Sequence, residues 1–273
     1  MSTSYQRPKI CVPLTGRTTE ELMAQAEKIR NSSVEMVEWR ADYFTEIQDL
    51  EHVLVTLRTL RNKLSNKELL FTFRTKEEGG QAQIRLEDYK ELCLSVCKLQ
   101  LVDMIDIELA QAEFLGRNFI KQLKDTQTIC LMSYHDFKRT PKDAELIFKI
   151  GLMHQMGADI GKLALMPQQL NDVLRTMSLI EKAHTFYDLP LAVMAMGELG
   201  KVTRVAGELM GSRFTFGYFG ENSAPGQIQV EMLEQILSTL SMKDSVKEET
   251  NGGSPFLKCP ERLIVPSTRY HSQ

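Results

Sequence analysis

The sequence has no long apolar run. No stretch approaches the about 18 consecutive apolar residues that a membrane-spanning helix needs, so no membrane partner is expected. The first eight residues, Met1 to Pro8, lack the apolar core of a secretory signal, and a cytoplasmic protein is expected. Charge of one sign is also missing: 33 Lys+Arg stand against 36 Asp+Glu, a net charge of -3. Such a balance carries no footprint for a polyanion, so nucleic acid is not an expected partner and functional cations should be few and local. The cysteines are few and odd in number: Cys11, Cys93, Cys97, Cys130 and Cys259. That suits reduced, buried thiols rather than a disulfide framework. Cys93 and Cys97 stand four apart on an expected helix, but no nearby His or Cys completes a metal set. No apolar run is followed by Gly-x-Gly-x-x-Gly, which weighs against a doubly wound dinucleotide fold without excluding an open sheet.

What is present is periodic. Hydrophobic residues make up 42% and charged residues 25%, as in globular proteins. Eight short apolar runs recur: Lys9–Leu14, Val34–Arg40, Leu69–Arg74, Leu101–Glu108, Thr128–His135, Asp159–Leu165, Leu191–Met196 and Phe214–Phe219. Helical patterns separate them. Thr18 to Glu21 has the form of a capping box, Glu46 to Leu64 carries an apolar stripe, and Ile84 to Leu99 another. Thr140-Pro141 reads as a cap and first turn of a helix stopped by Gly157. Phe114–Lys124, Gln168–His184, Glu198–Met210 and Gln227–Leu240 complete the set. Eight alternating units at about 29 residues each predict an α/β protein, a single-domain (β/α)8 TIM barrel. Residues 1–241 are assigned to that barrel. Residues 242–273, with Asn251-Gly252-Gly253-Ser254-Pro255, read as a linker and a disordered tail.

Lys162 lies inside the apolar run bounded by Gly157 and Pro167. An ammonium is costly to bury alone, and burial favours the neutral amine, the form that attacks carbonyls. Alternatively, the residue sits at a strand end and its head reaches water. A barrel places chemistry at the carboxyl ends of its strands. There the sequence offers Glu38-Trp39-Arg40-Ala41-Asp42, Arg74 with Glu78, Asp106 and Glu108, Ser133 to Asp136, Lys162, Met194 to Gly197 with Arg204, and Ser223 to Gln227. Each also has a plain structural reading. Glu38 and Arg40 share a strand face and suit a structural ion pair. His135 suits a core histidine, Met194 and Met196 suit packing, and Arg204 suits a solvated helix. Together, a lysine, a histidine, acids and arginines at one barrel end point to a Schiff-base site.

These stretches resemble the type I 3-dehydroquinate dehydratases. The resemblance rests on Glu38-Trp39-Arg40, Phe71 to Arg74 with Glu78-Gly79-Gly80, Ile105 to Glu108, Met132 to Phe137, Gly157 to Pro167, Met194 to Gly197 and Ser223 to Gln227. It runs in order from residue 9 to about 240. It implies a hydro-lyase of the shikimate pathway, a homodimer, with no metal and no organic cofactor. It also implies that Lys162 forms an imine with the 3-keto group of dehydroquinate, that His135 is the general acid/base, and that Glu78 orients His135. Arg204 would bind the substrate carboxylate, with Ser223 and Gln227 placing the ring and its hydroxyls. Glu38, Arg40 and Arg74 would line the hydroxyl side, and Met194, Met196, Phe216 and Ala224 the apolar walls. Two departures stand out: Thr203 where serine is more frequent, and the residues after about 240, which have no counterpart. A Schiff-base aldolase on the same barrel, or a barrel that binds without catalysis, are the competing functions. The aldolase would want a Gly-rich phosphate loop after strands 7 and 8. Whether burial or neighbouring arginines make the amine available stays open at this point.

Overall fold

The computed structural model describes residues 6–220 and 224–242, and one compact unit runs through Ser241. Its strands are β1 (Lys9–Leu14), β2 (Met36–Arg40), β3 (Glu68–Thr72), β4 (Met104–Glu108), β5 (Ile129–Asp136), β6 (Ile160–Leu165), β7 (Leu191–Ala195), β8 (Phe214–Tyr218) and β9 (Ile228–Gln229). The helices are α1 (Thr19–Arg30), α2 (Leu50–Lys63), α3 (Leu86–Lys98), α4 (Leu109–Lys124), α5 (Asp143–Met156), α6 (Leu170–Met177), α7 (Leu179–His184), α8 (Gly197–Val205), α9 (Gly207–Met210) and α10 (Val230–Thr239). All strand pairs are parallel, in the order β7-β6-β5-β4-β3-β2-β1-β8-β9. The sheet curls until its ends meet. At that seam the Arg213 N–H donates to the Leu191 carbonyl at 2.9 Å, and the Val193 N–H to Ser212 Oγ at 3.3 Å. The protein is thus an eight-unit α/β barrel.

Strand side chains alternate between two cores. Odd-numbered β2 residues Val37 and Trp39, with Ile105 and Ile107 of β4 and Leu163 and Leu165 of β6, pack outward under the helices. The alternate residues point into the barrel, even-numbered on β2, β3, β4 and β8 and odd-numbered on β5, where Met36, Leu70, Met104, Leu131 and Phe214 form an apolar floor. Each such buried side chain contributes roughly 1.5–3 kcal/mol. Above that floor the inward positions turn polar: Glu38, Thr72, Asp106, Ser133 and Lys162 are all buried. The period of two thus raises a polar layer on an apolar base, at the carboxyl ends of the strands.

Several boundaries differ from the sequence expectation, each for a local reason. β4 starts at Met104 because Asp103 bends out, its carboxylate accepting from Leu69 N at 2.7 Å and from Arg61 at 2.9 Å. β3 stops at Thr72, and the Arg74 N–H turns to Asp42 at 3.4 Å. Thr140 is not the cap of α5. Lys142 precedes its first turn, while Gly157 does end it in a left-handed conformation, φ 95°. Thr18 Oγ1 caps α1 by accepting from the Glu21 N–H at 3.3 Å, but the Glu21 carboxylate takes the Arg17 N–H rather than closing the box. The 168–184 stretch breaks into two helices at Ser178, and the 198–210 stretch breaks at Ala206. The helix expected from Phe114 begins at Leu109, with Gly116 non-helical inside it. Gln227 does not open a helix; β9 intervenes and pairs with β8.

Candidate active site

Lys162 comes from the middle of β6, and its register puts it beside Ser133 of β5 and Ala192 of β7. It does not reach to water: its side chain is 5% exposed. Nζ donates to Asp106 Oδ2 at 3.2 Å, lies 3.5 Å from Glu38 Oε1, and sits 4.6 Å from the centre of the Phe216 ring. A cation over an aromatic face, with two carboxylates beside it, is compensated without solvent.

Glu38 and Arg40 do not form the ion pair that their spacing suggested. Arg40 pairs bidentately with Asp42, both bonds 2.8 Å, and Glu38 instead accepts from Thr72 Oγ1 at 2.9 Å. Asp42 also takes the Gln81 N–H at 3.0 Å, which ties the end of β2 to the loop after β3. That loop bends through Gly79, φ 86°, and returns against Arg74 so closely that a Cβ on Gly80 would lie 1.8 Å from the Arg74 carbonyl oxygen. The bend carries Glu78 inward.

Glu78 Oε2 lies 2.8 Å from His135 Nδ1 and accepts the His135 backbone N–H at 3.2 Å. The carboxylate therefore fixes the ring and leaves Nε2 to act. Burial pushes the Glu78 carboxyl up to about 8, against the pull of Arg74 and with a push from Glu108 and Asp106. Burial, followed by Arg74, Lys162 and Arg40, holds the His135 imidazolium well below its usual range. The two groups titrate as one coupled unit, and burial holds its carboxyl above the ordinary carboxylate range. Phe137 stacks beside the imidazole, ring centres 6.4 Å apart.

Arg74 is wholly enclosed. Its guanidinium meets Asp106 at 2.5 Å, Glu108 at 3.0 Å, Ser133 Oγ at 2.9 Å and Glu78 at 3.5 Å. Arg204 of α8 is different. It is 1% exposed, yet among the described residues no carboxylate forms an ion pair with it. Nη2 donates to the Pro225 carbonyl at 3.0 Å, Nη1 lies 3.9 Å from the Met194 sulfur, and Nε is buried without a partner. Burial alone brings it down to about 10. A desolvated guanidinium with donors to spare is built for an anion.

These residues surround one pocket of about 130 Å3. Glu38, Arg40, Arg74, Glu78, His135, Lys162, Met194, Met196, Arg204, Phe216, Ala224 and Gln227 all line it. Thus twelve of the thirteen site residues expected from the sequence meet in space; the thirteenth, Ser223, lies outside the described residues. Five residues were given no individual role by the sequence, although Asp106, Glu108 and Ser133 stood among its strand-end groups. Asp106, Glu108 and Ser133 form the polar layer beneath the pocket, and the even-numbered spacing Met104, Asp106, Glu108 carried that signal. Tyr43 and Phe137 complete the rim. Among the described residues, no group of three or more His, Cys, Asp and Glu side chains is disposed to hold a metal ion, and no helix is long and apolar enough to cross a membrane.

The family model of type I 3-dehydroquinase matches residues 10–244. The 3-dehydroquinate dehydratase of Syntrophotalea carbinolica is 40% identical over 240 residues, covering 86% of this chain and 94% of the relative. That of Klebsiella pneumoniae is 39% identical over 236 residues, covering 85% and 93%. Among solved structures, the Clostridium difficile type I 3-dehydroquinate dehydratase with covalently modified comenic acid superposes with a TM-score of 0.83 at 34% identity, over 86% of this chain and 92% of that one. Fold and sequence agree: the chain belongs to the type I 3-dehydroquinase family.

Proposed function

We propose that the chain dehydrates 3-dehydroquinate to 3-dehydroshikimate in the shikimate pathway, through an imine on Lys162. The observation that carries this reading is the joint content of the pocket: a buried amine, a histidine–carboxyl pair and a guanidinium with no acid partner among the described residues. A keto acid needs all three.

The neutral amine of Lys162 attacks the 3-keto carbon. A C–N bond forms, the C–O bond breaks, the oxygen departs as water with one proton from the amine and one delivered by His135, and a cationic iminium results. The iminium draws electrons from the adjacent C2–H bond, and His135 Nε2 takes that proton. The enamine so formed pushes its electrons back to expel the C1 hydroxyl, which leaves as water with the proton from His135. A C1=C2 double bond remains, and hydrolysis of the iminium returns the ketone and the amine. The net change is loss of one water. Arg204 grips the carboxylate on C1, and Gln227 and Ser223 place the ring and its hydroxyls. Glu38, Arg40 and Arg74 border the hydroxyl side, with Met194, Met196, Phe216 and Ala224 as the apolar wall. No step needs a metal or an organic cofactor.

A homodimer belongs to the same reading. Its support is the row of exposed apolar side chains on α6 and α8: Leu170, Leu174, Leu199 and Val202. A cytoplasmic setting is supported by four free, buried cysteines: Cys11, Cys93, Cys97 and Cys130. Residues 242–273 are proposed as a tail outside the chemistry; Gly252 and the rest of its linker signal lie outside the described residues. The direct test is an ultraviolet assay. Purified protein given 3-dehydroquinate is expected to generate the absorbance of a conjugated enone. No absorbance change would contradict the proposal.

A further inference from the structure

None of the roles above uses Asp106. It faces the barrel interior from β4, and its side chain is 0% exposed. Oδ1 accepts from Ser133 Oγ at 2.5 Å. Oδ2 accepts from Arg74 Nη2 at 2.5 Å and from Lys162 Nζ at 3.2 Å. One carboxylate oxygen thus bridges two cations, and one of these is the nitrogen that reacts. Glu38 is the other acid near that nitrogen, but it is farther away at 3.5 Å, and it lines the pocket where the substrate binds.

We propose that Asp106 is a catalytic residue, the fixed counter-ion of Lys162 Nζ, aiming the amine and holding a full negative charge against the nitrogen as it becomes an iminium. The inference rests on the Schiff-base reading above. Its physical basis is preorganisation. A cation formed in a dry interior needs an anion already in place, because reorganising one during the reaction adds to the barrier. Arg74 and Ser133 hold Asp106 whatever the state of the nitrogen, so it does not have to move. Burial works to raise the Asp106 carboxyl, but Arg74, Lys162 and Ser133 together hold it below the usual carboxylate range. It therefore stays ionised and does not take the proton released by the amine.

Among the described residues, Glu38 is the one other carboxylate beside the nitrogen. From β1 comes the buried Cys11 thiol, pushed up by burial, and from β8 the Phe216 ring. Arg74 and His135 approach from the ends of β3 and β5, and Glu78 and Glu108 are spent on Arg74. Glu38 from β2 is left to face the substrate.

The test uses the full-length chain and Asp106→Asn, a near-isostere without the charge. Borohydride trapping with 3-dehydroquinate is followed across pH. The plateau rate of trapping should fall about 100-fold, the cost of removing one preorganised charge partner. Equilibrium binding of 3-dehydroquinate should be kept, because Asp106 lies beneath the pocket and does not line it. A residue needed only to hold Arg74 would lower thermal stability and leave the trapping rate of the folded protein unchanged. Trapping by Asp106→Asn at the wild-type plateau rate would overturn this inference alone. Failure of the wild-type chain to trap would sink the Schiff-base reading itself. Should Asp106→Asn not fold, Ser133→Ala decides. It loosens Asp106 without removing the charge and should slow trapping roughly five-fold, the weight of one buried hydrogen bond; unchanged trapping would contradict the role.

Discussion

Lys162→Ala is expected to lower kcat by roughly 10^4-fold or more, about 5.5 kcal/mol of transition-state stabilisation. The size follows from what is removed. Without the amine there is no iminium, and the C2 proton must leave a ketone, whose neutral carbonyl withdraws electrons far less. The protein around the gap should stay folded, since Asp106 keeps Arg74 and Ser133 and Glu38 keeps Thr72. Substrate should still bind, because Arg204 and Gln227 are untouched. The check is steady-state turnover beside equilibrium binding of 3-dehydroquinate. A variant that turns over at a wild-type rate would remove the lysine from the mechanism.

The second large effect belongs to His135→Ala. Proton transfer by a positioned side chain contributes about 10^2- to 10^4-fold, and here one ring serves more than one transfer. Imine formation should survive weakly, so an adduct still accumulates, while elimination stalls. The pH dependence adds a sign. The ring can take the C2 proton only when the coupled His135–Glu78 unit has given up its proton. Burial holds the carboxyl of that unit above the ordinary carboxylate range, with Glu78 at about 8. Wild-type kcat should therefore rise with pH across the neutral range as the base-competent form grows. His135→Ala should lose both the rate and this rise. An unaltered pH–rate profile in the variant would exclude His135 as the acid/base.

Much of this site was legible in the amino-acid order, because a barrel converts position along the chain into position in space. Once eight β units were counted, strand ends had to converge, and Lys162, His135, Arg74 and Glu38 fell where chemistry collects. What the sequence did not disclose was pairing. Glu38 and Arg40 share a strand face, yet Arg40 turns to Asp42, because a two-residue offset into the following turn gives bidentate geometry. Glu38 is thereby left to Thr72 and Lys162. Helix boundaries failed where tertiary contacts overrode local signals. Thr140-Pro141 looks like a helix start, but the Pro141 carbonyl accepts from Arg175, and the first turn is delayed to Asp143. The bonds that tie Asp106 to Arg74, Ser133 and Lys162 span three strands and the chain after β3, a relation no local pattern encodes. The open question of the amine also takes a definite form. Its surroundings are two carboxylates and an aromatic face, so the nitrogen is held by counter-charge rather than by burial alone.

The central claim is that covalent chemistry passes through Lys162, and borohydride reduction tests it most directly. Hydride converts the C=N bond to a stable secondary amine. With 3-dehydroquinate present, intact mass should show one adduct per chain, peptide mapping should place it on Lys162, and Lys162→Ala should show none. Absence of an adduct on the native chain, or its appearance on another lysine, would contradict the account.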